Sequence, residues 1–153
     1  CAESHLEILK KCIENDYQNV MVLEDDFSFR NFDFKEKIKN LFTYDNNFDI
    51  LLLSCNITDS VNTENEDIIK VLKSLTTSGY IINKKIYSKL LEVWKEGLEK
   101  LKQDPELNRN SYSCDVSWQK LQIENKVYSS RESIGFQFSD FSDIEQRIVS
   151  YEC

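Results

Sequence analysis

The stretch that most strongly constrains the fold is Asn19-Val20-Met21-Val22-Leu23-Glu24-Asp25-Asp26-Phe27. It joins a short apolar run, rich in β-branched residues, to three adjacent carboxylates. An apolar run of this length predicts a β-strand that is buried on both faces. Acidic residues at the carboxyl end of such a strand lie where open α/β sheets bind their ligands. The stretch therefore predicts a buried strand that carries a carboxylate cluster at its end.

Helical and strand-like patterns alternate along the rest of the chain. The predicted helices cover about 4–15, 34–42, 84–102 and 115–123, with a last helix opening at Ser142 or Asp143, and the predicted strands cover 19–23, 48–54, 76–82 and 126–128. Ser4 and Glu7 fit a capping box, and the polar stretch 60–67 predicts a loop. Gly79 inside the third strand indicates a close approach by another group. Buried strands that alternate with amphipathic helices predict an α/β domain with a largely parallel sheet.

The composition is that of one globular domain with an acidic surface. The 153 residues carry a net charge of −8 and suit a single compact domain, residues 1–153. Because a negative surface repels phosphate backbones, nucleic acid is disfavoured as a partner, and no apolar run approaches the roughly 20 residues of a membrane span. Five scattered cysteines without a CxxC pair favour neither a zinc site nor a disulfide framework.

These features predict a cytoplasmic location. Free thiols are typical of a reducing compartment, and heavy use of Lys, Asn and Ile is typical of an AT-rich genome, so the compartment would be the host cytoplasm if the source were viral. The chain begins at Cys1 rather than Met, so the secretory pathway stays open as an alternative.

Glu24, Asp25 and Asp26 are the residues best suited to carry chemistry. Adjacent carboxylates repel one another, and a hard divalent cation such as Mn²⁺ or Mg²⁺ cancels that repulsion and accepts oxygen ligands. The structural alternative is an acidic turn in which one Asp caps the following segment. Taken by itself, the pattern indicates a metal and a phosphate before it indicates a sugar.

Several short segments follow one another in an order that is more specific than any of them alone. They are Cys1-x-x-Ser4-His5-Leu6, Val22-Leu23-Glu24-Asp25-Asp26-Phe27, Phe48-Asp49-Ile50-Leu51-Leu52, Gly79-Tyr80-Ile81-Ile82, Cys114-Asp115-Val116-Ser117, and Gln137 with Ser142-Asp143-Ile144-Glu145. In this order they resemble glycosyltransferase family 25, which includes procollagen galactosyltransferases and bacterial lipooligosaccharide galactosyltransferases. The resemblance implies a GT-A fold with Rossmann-type α/β/α layers. It also implies that the first nucleotide-binding strand, which normally precedes the Ser-His helix, is missing from this domain.

The resemblance assigns Asp25 and Asp26 to a cation, Mn²⁺ or Mg²⁺, and to the diphosphate of a UDP-sugar. Family members are considered inverting, so a base should deprotonate the acceptor hydroxyl, and Asp115 is the candidate. The alternative for Asp115 is a helix N-cap. Contacts with the donor or the acceptor are implied for four further residues: Glu24, His5, Gln137 and Asp143.

Two of these four residues have a structural alternative. His5 follows Ser4 at a helix start, where a histidine commonly holds the turn by hydrogen bonds. Asp143 lies near the start of the predicted last helix, where an acid complements the helix dipole.

The functional prediction is a metal-dependent glycosyltransferase. It would move galactose or glucose from a nucleotide sugar to a glycan or to a hydroxylated protein. The alternative is a catalytically inactive relative that binds glycans or serves in assembly, and a missing nucleotide-binding strand favours that alternative. A nucleotidyltransferase or phosphatase would use the same carboxylates, but the sequence lacks the further charged signatures expected of one.

Overall fold

The computed structural model of the protein describes residues 2–138, 140–142 and 147–149. The helices are α1 (Ala2–Glu14), α2 (Phe34–Tyr44), α3 (Tyr87–Gln103, preceded by a 3₁₀ turn at Lys84–Ile86), α4 (Pro105–Tyr112), α5 (Cys114–Ser117) and α6 (Gln119–Glu124). The strands are β1 (Asn19–Leu23), β2 (Phe27–Phe29), β3 (Ile50–Asn62), β4 (Ile68–Asn83), β5 (Val127–Ser130), β6 (Gly135–Gln137), β7 (Asp140–Ser142) and β8 (Arg147–Val149). No helix in these described ranges is long and apolar enough to cross a membrane.

The central sheet has four strands in the order β1-β4-β3-β5. A row of paired residues runs across it: Val61, Lys70, Tyr128, Leu51, Ile81 and Met21. The β3–β4 hairpin is strongly bent, so β3 contributes both Leu51 and Val61 to this row and β4 contributes both Lys70 and Ile81. Strand β5 pairs with β3 and with β4 through Tyr128. The sheet is therefore curled, with β1 at one edge.

An irregularity in β4 accounts for part of this bend. Ser54 of β3 pairs with Gly79 of β4, but Asn56 pairs with Leu75, so β4 uses two more residues than β3 over this interval. Thr76 lies within the extra length and has a φ of 66°, a left-handed conformation that is rare for a β-branched residue. Bulges of this kind bend a strand and redirect its side chains, often beside functional sites.

Two apolar cores lie on the two faces of the sheet. Because successive side chains of a strand alternate, Ile50 and Leu52 of β3 face one core while Leu51 and Leu53 face the other. The first core packs against α1, α3 and α6 through residues such as Leu9, Trp94 and Leu121, and the second packs against α2 through Leu41 and Phe42. Helices therefore cover both faces of the sheet, as expected of an α/β domain.

The prediction of a mostly parallel sheet is wrong. Among the described strands of the sheet, β3 and β5 are parallel, whereas β1–β4, β3–β4 and β4–β5 are antiparallel. The physical reason is the short connection at 63–67: a hairpin can join only antiparallel strands, because a parallel crossover needs a dozen residues or more. The GT-A assignment with Rossmann-type layers stays a prediction.

Other local predictions also need correction. The polar stretch 60–67 is partly strand, since β3 continues to Asn62. Strand β1 is not buried on both faces, because Met21 and Leu23 are 42% and 40% exposed. Ser4 lies inside α1 rather than at its cap.

The elements at the carboxyl end also differ from the prediction. Trp118 separates α5 from α6 in the predicted helix 115–123. Ser142, one of the two predicted caps of a last helix, instead ends strand β7 (Asp140–Ser142), and β8 covers Arg147–Val149. The rest of the segment predicted to open that helix, residues 143–145, lies outside the described residues. The helix of residues 105–112 and the β2–β6 ribbon were not predicted.

Candidate functional site

The three carboxylates lie at a tight turn directly after β1. The N–H of Phe27 donates to the carbonyl of Glu24 at 3.1 Å, which closes a four-residue turn with Asp25 and Asp26 at its centre. The N–H of Glu24 donates to the carbonyl of Ser78 in β4 at 2.8 Å, so the turn is tied to the bulged strand. Asp25 is exposed and Asp26 is half-buried.

Glycine on two neighbouring strands makes room for the ring that follows this turn. A Cβ atom built on Gly79 would lie 2.5 Å from Cε2 of Phe27, and one built on Gly135 would lie 2.2 Å from the same atom. Since such atoms are normally 3.4 Å or more apart, a side chain at either position would clash with the ring unless the ring moved. The predicted close approach at Gly79 is thus confirmed, and the approaching group is Phe27.

Asp26 carries a negative charge that its surroundings compensate incompletely. Its Oδ2 accepts a hydrogen bond from Nε2 of Gln137 at 2.7 Å, whereas its buried Oδ1 has no hydrogen-bond partner in the described part of the chain. Burial, and then the charges of Glu24 and Asp25, raise the pKa of Asp26 above its ordinary value, against the lowering effect of Gln137. A buried, unpaired carboxylate oxygen is costly unless another group completes it.

Glu24 is compensated in the opposite way. Its Oε1 lies 3.0 Å from Nε2 of His5 and accepts a hydrogen bond from Oγ1 of Thr77 at 3.0 Å. Burial alone would raise the pKa of Glu24, but these hydrogen bonds and the attraction of His5 outweigh burial and lower it. The side chain of Glu24 therefore has hydrogen-bond partners, whereas Asp26, two residues later, has one oxygen without a partner among the described residues.

His5 lies behind the carboxylates, in the first core, and is only 3% exposed. Its Nδ1 is 2.7 Å from the hydroxyl of Tyr80, and its ring stacks on Tyr80 with a centroid distance of 5.7 Å. Burial raises the pKa of Tyr80 well above its ordinary value, so this phenol keeps its proton. His5 therefore contacts Glu24 from inside the protein.

Asp115 lies in the first turn of α5, and its N-cap alternative is wrong because Ser113 holds the N-cap position. The Oδ2 atom of Asp115 instead accepts the N–H of Thr76 at 3.2 Å. The next residue of β4, Thr77, donates to Glu24. Adjacent residues of the bulge therefore connect the candidate base to the carboxylate turn.

The contributions of Thr76, Thr77 and Ser78 were missed by the sequence reasoning. They precede Gly79 as a run of small hydroxyl-bearing residues, and that run fits an ordinary strand equally well. Gln137, which was predicted at the site, does contact Asp26, while Asp143 lies outside the described residues.

A cavity of about 430 Å³ lies elsewhere in the molecule, between α3 and the α4–α6 segment. Gly97, Val116, Ser117 and Lys120 are among its lining residues, and the three carboxylates of the turn are not. The candidate site is thus an open turn at the end of β1 rather than this cavity.

The sequence model described as "Glycosyltransferase family 25 (LPS biosynthesis protein)" matches residues 1–104 of the 153. No match is found among curated proteins. The matched part includes His5, the carboxylate turn and the β4 bulge, whereas Asp115 and Gln137 follow it in the chain.

Proposed function

Because the chain belongs to glycosyltransferase family 25, we propose that it transfers a hexose from a nucleotide sugar to a hydroxyl group, with a divalent cation bound at Asp25 and Asp26. The hexose would be galactose or glucose, carried by UDP. The acceptor would be a glycan or a hydroxylated protein, and the compartment the cytoplasm. The observation that carries the proposal is the buried Oδ1 of Asp26, which has no hydrogen-bond partner among the described residues.

The residues of the turn fit a hard cation. Asp25 and Asp26 offer carboxylate oxygens, which Mg²⁺ and Mn²⁺ prefer, and such ions are commonly held by one or two carboxylates together with substrate phosphates and water. The described residues contain no group of three or more His, Cys, Asp or Glu side chains arranged to hold a metal. The protein would therefore supply two ligands, and the diphosphate and water the others. When bound, the cation stabilises the charge that develops on the leaving diphosphate.

The chain's own residues supply the remaining steps of the proposal. Gln137 orients Asp26 through Oδ2 and leaves Oδ1 as the oxygen without a hydrogen-bond partner among the described residues. Thr76 orients Asp115 through its N–H, and Asp115 accepts the proton of the acceptor hydroxyl as that oxygen attacks the sugar. In an inverting reaction this base acts on the face of the sugar opposite the diphosphate.

Calorimetric titration of the full-length protein with Mn²⁺, in the presence and absence of UDP, tests the proposal. We expect Mn²⁺ to bind more tightly when UDP is present. Asp26→Asn should weaken Mn²⁺ binding by at least about tenfold, which corresponds to about 1.4 kcal/mol. Asp59→Asn is the matched control, because Asp59 is an exposed carboxylate on the far part of β3. Failure of the wild-type protein to bind Mn²⁺ with UDP would refute the proposal.

A catalytically inactive, glycan-binding relative is the second candidate. It is favoured by the lack of a third ligating side chain among the described residues, and by the hydrogen bond that already engages Asp115. This candidate predicts glycan binding that does not change in Asp26→Asn. Binding to immobilised glycans by the wild-type protein and this variant therefore separates the two functions.

A further inference from the structure

The buried contacts of His5 form a chain that runs from Tyr80 through the imidazole to Glu24. The hydroxyl of Tyr80 lies 2.7 Å from Nδ1 of His5 and can donate to it or accept from it. An ionised Glu24 can only accept, so Nε2 of His5 carries the proton of the 3.0 Å contact. A proton on Nε2 satisfies the contact with Glu24 in both the neutral and the charged imidazole. Thr77 adds a second donor to the same Oε1 of Glu24.

This chain ends at the residue from which the turn begins. The backbone N–H of Glu24 is held by Ser78 and its side chain by His5 and Thr77. Rotation of Glu24 would therefore break hydrogen bonds on both its main chain and its side chain. The two residues that follow, Asp25 and Asp26, take their direction from this held residue.

We propose that His5 is a positioning residue, which holds Glu24 by hydrogen bonding and thereby aims the Asp25–Asp26 turn, while Glu24 itself does not bind the cation. The inference rests on the function proposed above, in which Asp25 and Asp26 hold the cation. It gives the only histidine of the chain a role behind the site instead of a contact with the donor or the acceptor. It also separates the three adjacent carboxylates into one anchor and two ligands.

The single histidine makes the hydrogen-bonding part of the proposal directly measurable. A long-range ¹H–¹⁵N spectrum of the uniformly labelled protein shows one imidazole, so no assignment is needed. We expect a proton on Nε2 in the wild-type protein, and a changed Nε2 signal in Glu24→Ala. An unprotonated Nε2, or a signal that Glu24→Ala leaves unchanged, overturns the proposal.

The functional part is measured by Mn²⁺ affinity in the presence of UDP. His5→Ala should lower it about tenfold or more, and Glu24→Ala should lower it by a similar factor. If His5 acts through Glu24, the double variant will be no weaker than the weaker single variant, because the two changes remove the same support. Independent losses that multiply in the double variant would contradict a role of His5 through Glu24.

Two further variants separate positioning from general stability and from ligation. Leu9→Val is the matched control, because Leu9 is a buried residue of the same helix and core, and it should keep the wild-type Mn²⁺ affinity at a similar loss of thermal stability. Glu24→Gln keeps an oxygen that can accept from His5, so it should bind Mn²⁺ more tightly than Glu24→Ala. Equal losses in Glu24→Gln and Glu24→Ala would make Glu24 a ligand and overturn the proposal.

Different results would refute the proposed function and the positioning role of His5. If the wild-type protein binds no Mn²⁺ with UDP, the proposed function fails, and the His5 spectrum still decides whether His5 holds Glu24. If Mn²⁺ binds and Asp26→Asn abolishes binding while His5→Ala does not weaken it, the proposed function stands and the positioning role is refuted.

Discussion

Gly79 is the position at which the fold most directly links stability to the candidate site. Its backbone lies against the ring of Phe27, the residue that closes the carboxylate turn. Replacing Gly79 by Ala would place a methyl group 2.5 Å from Cε2 and 2.7 Å from Cδ2 of that ring. The ring must then move by about 1 Å to restore ordinary contact, and it carries the end of the turn with it.

The expected cost of Gly79→Ala follows from these distances. Overpacking of this size typically costs about 1–3 kcal/mol, and the lower chain entropy of Ala in a strand returns about 0.5–1 kcal/mol. The difference between these ranges is about 0–2.5 kcal/mol. Because both ring contacts lie well under 3.0 Å, we expect a net loss in the free energy of unfolding of about 1–2 kcal/mol. For a chain of this length the midpoint of thermal unfolding would fall by roughly 2–8 °C. Since the turn moves with the ring, Mn²⁺ affinity in the presence of UDP should fall as well.

Urea and thermal unfolding measure the first effect, and calorimetric titration measures the second. Phe27→Leu provides the control, because leucine lacks the ring atoms that clash. In the Phe27→Leu background, Gly79→Ala should cost less by about 1 kcal/mol, as expected when two changed residues are in contact. An unchanged unfolding midpoint in Gly79→Ala, or the same cost in both backgrounds, would refute the assignment of Gly79 as the space that Phe27 requires.

Three further predictions concern stability. Asp45→Asn should lower the free energy of unfolding by about 1 kcal/mol at pH 7, because Asp45 accepts from Lys126 at 2.9 Å and its pKa is lowered in spite of its burial. That stabilisation is lost as pH falls from about 4, the pKa in the unfolded chain, through the lower pKa in the folded protein. In urea unfolding, the difference between variant and wild type should therefore be smaller at pH 3 than at pH 7. Thr76→Gly should raise the free energy of unfolding by about 1 kcal/mol, because it relieves a left-handed β-branched residue, and a loss of stability in urea would contradict this. Asp26→Asn, measured without added cation, should leave stability equal or raise it by up to about 1 kcal/mol, because it removes a charge that burial opposes; a clear destabilisation would show that the charge is already compensated.

Much of the secondary structure could be predicted from local patterns. The apolar runs at 19–23 and 50–53 and the apolar stripe of α3 are regular, and each element lies close to its predicted position. Direction of pairing is not a local property. The outer part of β3, near Thr58 and Asn62, is exposed and mostly polar, so it lacks the apolar signal by which a buried strand is identified. The part of β4 that pairs with it does carry an apolar run, with Ile68, Ile69 and Val71 buried, and the prediction missed it. The hairpin was therefore interpreted as two separate strands joined by a loop.

The candidate site was predictable to a different extent. The carboxylate stretch and Gly79 each carry a local signal, and the structure brings them together through Phe27. The bulge in β4 carries none, since its left-handed Thr76 is held by the hydrogen bond that its N–H donates to Asp115, a residue 39 positions away. Tertiary contacts impose that backbone conformation against the residue's own preference. For the same reason, the connection between the candidate base and the turn could not be read from spacing.

The three carboxylates differ in how far hydrogen bonds compensate their charges, and this difference makes cation binding at the turn physically reasonable. A chain with a net charge of −8 has no general need to bury more negative charge, and it could have satisfied all three groups or exposed them. Instead it gives Glu24 two side-chain donors on one oxygen and leaves one oxygen of Asp26 buried and unpaired among the described residues. The hydrogen bonds to Glu24 stabilise the folded state, whereas the buried, unpaired oxygen of Asp26 destabilises it. Such a local cost persists where a function depends on it, and a divalent cation shared with a diphosphate is a partner that would remove it.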